Sequence, residues 1–260
     1  MIISDREDPF MWSHFVCALS FLTILRIPGS SDQAVSGLDL ARGFSFFPLV
    51  GLILGACSFA LAYTISPFMP SLFLAVAIIA TQAMLTRALH LDGLADFIDG
   101  VGGGYTPQRR LEIMKDSRTG AFGALALILA VFLKAAAIET LILHSQWPPL
   151  LLVPVLSRFA MVLAAYRSPY ARAEGGLGKP FLEHMTSREV MIASAFSLAI
   201  ALLLAPFSAP SHIAIMLVVV GLLRHLSHKW LGGITGDVLG AVNEIVEVCL
   251  FALAAGLAPH

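Results

Sequence analysis

Residues 70–104 read PSLFLAVAIIATQAMLTRALHLDGLADFIDGVGGG, an uncharged apolar run that passes into a stretch carrying three carboxylates. No charged residue occurs from Pro70 to Thr86. Asp92, Asp96 and Asp99 follow at spacings of four and three. At about 100° per residue they fall within roughly 60° of one another on a single helix face. The pattern predicts a membrane span over residues 70–90 whose acidic face emerges where the helix leaves the bilayer. Carboxylates this close repel one another, and a divalent cation relieves the repulsion; a hard ion such as Mg²⁺ takes oxygen ligands. Small residues, Gly93 and Ala95, lie between the acids, and Gly102, Gly103 and Gly104 follow them. Glycines let a backbone come close to a phosphate, so the stretch suits a metal–diphosphate site.

The rest of the chain agrees with a membrane setting. It has 260 residues, of which 58% are hydrophobic and only 13% charged, and its mean hydropathy is +0.85. A soluble domain carries about 25% charged residues. The expectation is an all-α integral membrane protein, a single polytopic domain over residues 1–260, with the lipid bilayer as its surroundings. A net charge of −1 argues against nucleic acid as a partner. Cys17, Cys57 and Cys249 lie in apolar runs without paired spacing, which indicates neither a disulfide framework nor a zinc site. The opening MIISDREDPF is acidic and lacks the basic start of a cleaved signal peptide. A homo-oligomer is compatible with this composition, which does not require one.

Working outward, further spans are expected near 43–66, 120–143, 149–166, 190–208, 211–230 and 237–258, giving about seven transmembrane helices with the one at 70–90. The run from Phe10 to Leu25 is short for a crossing and reads as an interfacial or partly inserted helix ended by Arg26, Pro28 and Gly29. Thirteen of the sixteen Lys and Arg residues fall in the connections 26–42, 87–119, 167–189 and 224–236, whereas those near 67–69, 144–148 and 209–210 hold none. Basic and bare connections alternate, as an antiparallel bundle requires. The positive-inside rule then puts the basic connections, and the acidic stretch with them, on the cytoplasmic side.

Four other stretches carry groups with chemical potential. Arg109–Gly123, RRLEIMKDSRTGAFG, sets Lys115 and Arg118 around Asp116 just before a span. Cations beside a helix start grip phosphate oxygens, and Asp116 adds a carboxylate. Arg109 and Arg110 read equally well as ordinary juxtamembrane charge. Arg158 lies midway along the span at 149–166, where an unpaired Arg is costly; it calls for an ion pair with Glu244 or Glu247, or a phosphate at the floor of a cavity. Lys134 and Glu139 are expected nearer the outer end of their span, snorkelling or paired locally. Ser168–Phe181, SPYARAEGGLGKPF, is a basic loop in which Gly175, Gly176 and Gly178 precede Lys179; it is a flexible connection or a lid over a large substrate, and not a Walker motif. Thr235–Glu247, TGDVLGAVNEIVE, places Asp237, Glu244 and Glu247 within about 80° on one helical face, with Gly240 and Ala241 between and Asn243 adjacent. Acids inside a span are candidates for function, with pairing to Arg158 or Arg224 as the structural alternative. His90 beside the acids is a base or a hydrogen-bond partner, and His225 and His228 read as interfacial.

Taken together, HLDGLADFIDGVGGG, RRLEIMKDSRTGAFG and TGDVLGAVNEIVE resemble the cobalamin synthase, or adenosylcobinamide-GDP ribazoletransferase, family. FLTILRIPG, FSFFPLVG and PYAR…GLGKPF fit the same layout, so the resemblance covers most of the chain in order. One departure is that Phe97 and Ile98 follow Asp96 where the family commonly has small residues; all three carboxylates are kept. The resemblance implies a Mg²⁺-dependent transferase of the bacterial inner membrane. It implies that a hydroxyl of α-ribazole, or of its 5′-phosphate, attacks the cobinamide-bearing phosphorus of adenosylcobinamide-GDP and releases GMP. On that footing Asp92, Asp96, Asp99, Asp237 and Glu244 are the expected metal ligands. Asp92, Asp96, Asp116 and Asp237 are the expected catalytic acids, and Lys115, Arg118, Arg158, Lys179 and Asn243 the expected substrate contacts.

Three other readings compete. A CDP-alcohol phosphotransferase also breaks a nucleotide diphosphate with intramembrane aspartates, but its Ala-Arg pair after Asp-Gly is missing here, as is the Asn-Asp opening of a membrane prenyltransferase. A cation-coupled transporter would place acids near the midplane with an outward path, whereas these acids gather toward one face.

Overall fold

The computed structural model describes residues 10–27, 37–172 and 179–258. These form helices α1 (Phe10–Leu22), α2 (Gly37–Gly43), α3 (Phe47–Ile65), α4 (Ser71–Leu85), α5 (Leu89–Gly103), α6 (Pro107–Ile113), α7 (Ala121–Leu143), α8 (Pro148–Ala165), α9 (Lys179–His184), α10 (Ser187–Leu204), α11 (Ala209–Leu231) and α12 (Gly236–Gly256), with one 3-10 turn at Phe44–Phe46. No strand occurs among the described residues; only a single bridge joins Tyr170 to Ile234. Six segments are long and apolar enough to cross a membrane: Gly37–Ile65, α7, α8, α10, α11 and α12, with α4 and α5 a seventh if the bent pair is one span. The protein is an all-α, multi-pass membrane protein.

The expected spans and the observed helices agree closely except at 70–90. There the chain does not continue straight into the acidic stretch. α4 stops after 15 residues and α5 leaves it at 91°. At 1.5 Å per residue α4 is about 22 Å long, shorter than a hydrocarbon core of about 30 Å. The break has a local cause: Arg87 and Ala88 adopt left-handed backbone, φ 52° and 54°. Non-glycine residues enter that region at a cost of about 1–2 kcal/mol. Tertiary contacts hold it there, since Arg87 donates to the Thr23 carbonyl at 3.3 Å and the Ile24 amide donates to the Leu85 carbonyl at 2.7 Å. The end of α1 thus clamps the corner, and the acids sit on a separate helix. α1 itself has 13 residues, about 20 Å, too short to cross.

α8 and α12 are the most buried of the long helices and form the centre; α10 and α11 are the least buried. α12 packs against α5, α7, α8 and α11, and α8 packs against α3, α10 and α11. Local sequence sets the helix starts. Thr235 caps α12 by accepting from the Val238 amide, Thr106 caps α6, and Thr186 with Glu189 makes a reciprocal capping box on α10. The glycines Gly175, Gly176 and Gly178, and the helix-ending Pro28 and Gly29, lie outside the described residues.

Candidate functional site

The site begins where α5 crosses the first turns of α12. Gly93 and Gly240 form the crossing. A Cβ on Gly93 would lie 2.9 Å from the Asp237 carbonyl oxygen, and one on Gly240 would lie 3.1 Å from the His90 carbonyl oxygen. Only glycine permits two backbones this close. The consequence is chemical: Asp92 and Asp96 of α5 come beside Asp237 of α12, near enough for the three carboxylates to repel one another. Asp92 is exposed, while Asp96 and Asp237 are half-buried.

A cation that the sequence analysis did not single out completes this group. Arg172 pairs with Asp237 at 2.5 Å and lies beside the Tyr170 hydroxyl. It is delivered by backbone pairing: the Ala171 amide donates to the Ile234 carbonyl at 3.0 Å, and the Ile234 amide donates to the Pro169 carbonyl at 2.9 Å. The chain before α9 is thereby tied to the chain before α12. Burial pushes the Tyr170 phenol up, opposed by the nearby charges of Arg172 and Lys115. Beside Arg172 a cavity of about 280 Å³ is lined by Ser168, Tyr170, Lys179, Leu182 and Glu183, so the expected contact Lys179 faces the same opening.

Asp99 is employed differently. Its two oxygens accept from the amides of Gly120 (2.7 Å) and Gly123 (2.8 Å), the entry to α7. A Cβ on either glycine would collide with that carboxylate. Asp99 therefore fastens the loop carrying Lys115, Asp116 and Arg118 to the acidic helix. Within this loop Arg118 pairs with Asp116 at 2.7 Å, and hydrogen bonds from the guanidinium and amide of Arg118 hold the Asp116 carboxyl down at about 2. Lys115 lies close enough to Tyr170 to act on it, which turns both loops toward one region.

Arg158, Asn243 and Glu244 come together in a second place, deeper in the bundle. Lys134 of α7 donates to Glu244 at 2.6 Å and to Glu247 at 3.1 Å. Arg158 pairs with Glu247, Ser157 donates to Glu247 at 3.2 Å, and Asn243 donates to Glu244 at 3.2 Å. Two cations and two acids leave the cluster formally neutral, which is the condition for burying charge in a bilayer. The expectation that Lys134 snorkels or pairs locally is corrected here. It is 5% exposed and its partners are more than a hundred residues away on α12. Of the two readings of Arg158, the ion pair with Glu247 is the one the structure contains. Glu244 stands two helical turns, about 10 Å, from Asp237 along α12, and its carboxylate is directed at Lys134 rather than at Asp92 and Asp96.

Among the described residues no three His, Cys, Asp or Glu side chains converge as a ready-made metal cage. Mg²⁺ seldom uses one. It is held by one or two carboxylates together with substrate phosphates and water. The oxygen donors of Asp92, Asp96 and Asp237, gathered and mutually repelling, fit that mode.

The role of Arg172 and the partners of Lys134 escaped the sequence analysis for one reason: a positive charge in a loop or an apolar run does not disclose its partner. The available signal for Arg172 was its place in PYAR, one of the stretches that fit the family layout.

Comparison with known proteins supplies what geometry cannot. No solved structure matches the chain. A protein of Syntrophobacter fumaroxidans named adenosylcobinamide-GDP ribazoletransferase is 60% identical over 245 residues, 94% of this chain and 99% of the relative. Proteins of that name from Geotalea daltonii and Chlorobaculum tepidum are 38% and 39% identical, covering 93% and 94% of this chain and 96% of each relative. The family model for cobalamin-5-phosphate synthase matches residues 14–255. That match contains α5, the loop Asp99 fastens, and all but the last residue of α12, and so the chain belongs to the cobalamin-5-phosphate synthase family.

Proposed function

We propose that this chain is an adenosylcobinamide-GDP ribazoletransferase of the bacterial inner membrane, with its site open to the cytoplasm. A hydroxyl oxygen of α-ribazole, or of its 5′-phosphate, bonds to the cobinamide-bearing phosphorus of adenosylcobinamide-GDP. The bond from that phosphorus to the bridging oxygen breaks, and GMP leaves with that oxygen. The products are adenosylcobalamin, or its 5′-phosphate, and GMP. Such a displacement needs alignment and charge neutralisation more than a covalent intermediate.

The observation that carries this reading is the crossing at Gly93 and Gly240, which joins Asp92 and Asp96 to Asp237. Carboxylates drawn from this group would hold Mg²⁺ together with substrate phosphate and water, and the ion would supply Lewis-acid neutralisation of the diphosphate. Asp99 orders the neighbouring loop so that Lys115 and Arg118 meet the departing GMP phosphate. Lys179, on the rim of the adjoining cavity, contacts the nucleotide side. The hydroxyl proton goes to a carboxylate of the cluster, where Asp92 is the most open to solvent; Asp116, held near 2 by Arg118, is too weak a base for that task. Arg158, Asn243 and Glu244 brace α12 from behind through Lys134 and Glu247. The alternation of basic and bare connections supports the cytoplasmic orientation.

The test is direct. Purified protein in detergent is incubated with adenosylcobinamide-GDP, α-ribazole and Mg²⁺, and GMP and the corrinoid product are identified by mass. One GMP per adenosylcobalamin is expected. Absence of GMP release from folded protein contradicts the reading and favours the transporter class.

A further inference from the structure

The pair of Arg172 and Asp237 raises a question of occupancy. Arg172 holds an acid that the proposed reaction assigns to the metal. Asp96 and Asp237 both feel the Arg172 charge, so the guanidinium acts on acids of both helices. The side chains of Arg172 and Asp237 are 16% and 22% exposed, so the pair is screened from water more than a surface salt bridge is.

The guanidinium also has capacity to spare. Of its five N–H donors, the 2.5 Å contact to Asp237 uses one nitrogen. Its Nε is buried with no hydrogen-bond partner. An unmade bond from a buried charged donor is costly unless a ligand completes it. A planar fork with open donors, next to a cavity that also presents Lys179, matches phosphate oxygens in geometry and sign. The backbone pairing of Pro169 and Ala171 with Ile234 keeps the arm close, so only the side chain has to move between partners.

We propose that Arg172 is a built-in stand-in for the metal ion: it neutralises Asp237 while the site is empty and transfers to the substrate diphosphate when the metal and substrate enter together. This rests on the reading of Asp92, Asp96 and Asp237 as the metal-holding acids. Two consequences follow. The empty enzyme resists loading by divalent cations alone, because the ion must displace a guanidinium. The diphosphate relieves that competition, so metal and nucleotide bind with positive coupling.

The experiment measures Mn²⁺ binding to purified protein by electron paramagnetic resonance, without and with GDP as the diphosphate probe. Wild type is expected to bind Mn²⁺ weakly alone and at least about fivefold more tightly with GDP, beyond what Mn²⁺–GDP complexation in solution explains. Arg172→Gln is expected to bind Mn²⁺ alone at least about fivefold more tightly than wild type and to lose most of the GDP enhancement. Arg172→Lys keeps the charge without the fork, and serves if the Gln variant does not fold; it should retain weak binding without GDP but show a reduced enhancement. In an Asp237→Asn background, Arg172→Gln should no longer tighten binding. If Arg172→Gln or Arg172→Lys binds Mn²⁺ as wild type does, with the same GDP enhancement, while Asp92→Asn abolishes binding, the stand-in role is overturned and the metal site stands. If Asp92→Asn and Asp237→Asn both leave Mn²⁺ binding unchanged, the metal site itself is wrong and the stand-in falls with it.

Discussion

Gly93 of α5 and Gly240 of α12 meet backbone to backbone: a methyl group on Gly93 would stand 3.2 Å from the Gly240 Cα and 3.0 Å from the Asp237 Cα. No flexible side chain is there to yield, so the helices must part to admit one. Gly93→Val is expected to lower stability by about 1–3 kcal/mol, typical of overpacking, and to lower turnover by more than the stability loss explains. The two readouts are the thermal midpoint in detergent and kcat. Normal turnover from Gly93→Val would mean that the acids of α5 and α12 do not act jointly.

Asp99 and Asp96 share a helix face but face different tasks. Asp99→Asn should weaken the cap on α7, costing about 1–2 kcal/mol, while leaving metal binding within a few-fold of wild type. Loss of metal binding with unchanged stability would return Asp99 to the ligand set. The comparison needs one melting curve and one Mn²⁺ titration.

The buried cluster behind the site is structural in this account. Lys134→Met leaves Glu244 and Glu247 without one of their two cations, and removing one partner of a buried pair costs about 3–5 kcal/mol. Glu244→Gln in the same chain should recover part of that loss, because the remaining Arg158 and Glu247 balance. A Lys134→Met protein with unaltered thermal stability would refute the neutralised cluster.

In the loop, Asp116 is held near 2 by Arg118, below its usual value of 3.8. A depressed carboxyl stabilises above the unfolded value and loses that contribution as pH falls through the folded one. The pair is therefore constant from about pH 5 upward, and its loss is confined to acid between about 4 and 2. Asp116→Asn should leave the shape of the pH–rate profile above pH 5 unchanged. A shifted basic or acidic limb in that range would make Asp116 a proton-transfer group.

Much of the fold was legible in the sequence, for reasons that also mark the limit. Apolar length and charge alternation specify spans without reference to partners, and the expected 237–258 and observed Gly236–Gly256 differ by at most two residues at each end. The corner at Arg87 and Ala88 was not legible, because its left-handed backbone is held by Thr23 and Ile24, more than sixty residues earlier. The acids of the site were legible through helical spacing and small neighbours. Spacing could not separate Asp99 from Asp92 and Asp96, since the distinction lies in the Gly120 and Gly123 amides beyond a loop. Nor could it reveal that Lys134 reaches across to α12 or that Arg172 reaches Asp237.

The central claim is that α5 and α12 hold one ion between them. It is tested most directly by counting Mn²⁺ bound in the presence of adenosylcobinamide-GDP in wild type, Asp96→Asn and Asp237→Asn. Each substitution, though about 140 residues apart in sequence, should remove the same single ion and reduce transfer at least about a hundredfold. An ion that survives both substitutions, or transfer at the wild-type rate from either variant, would contradict it.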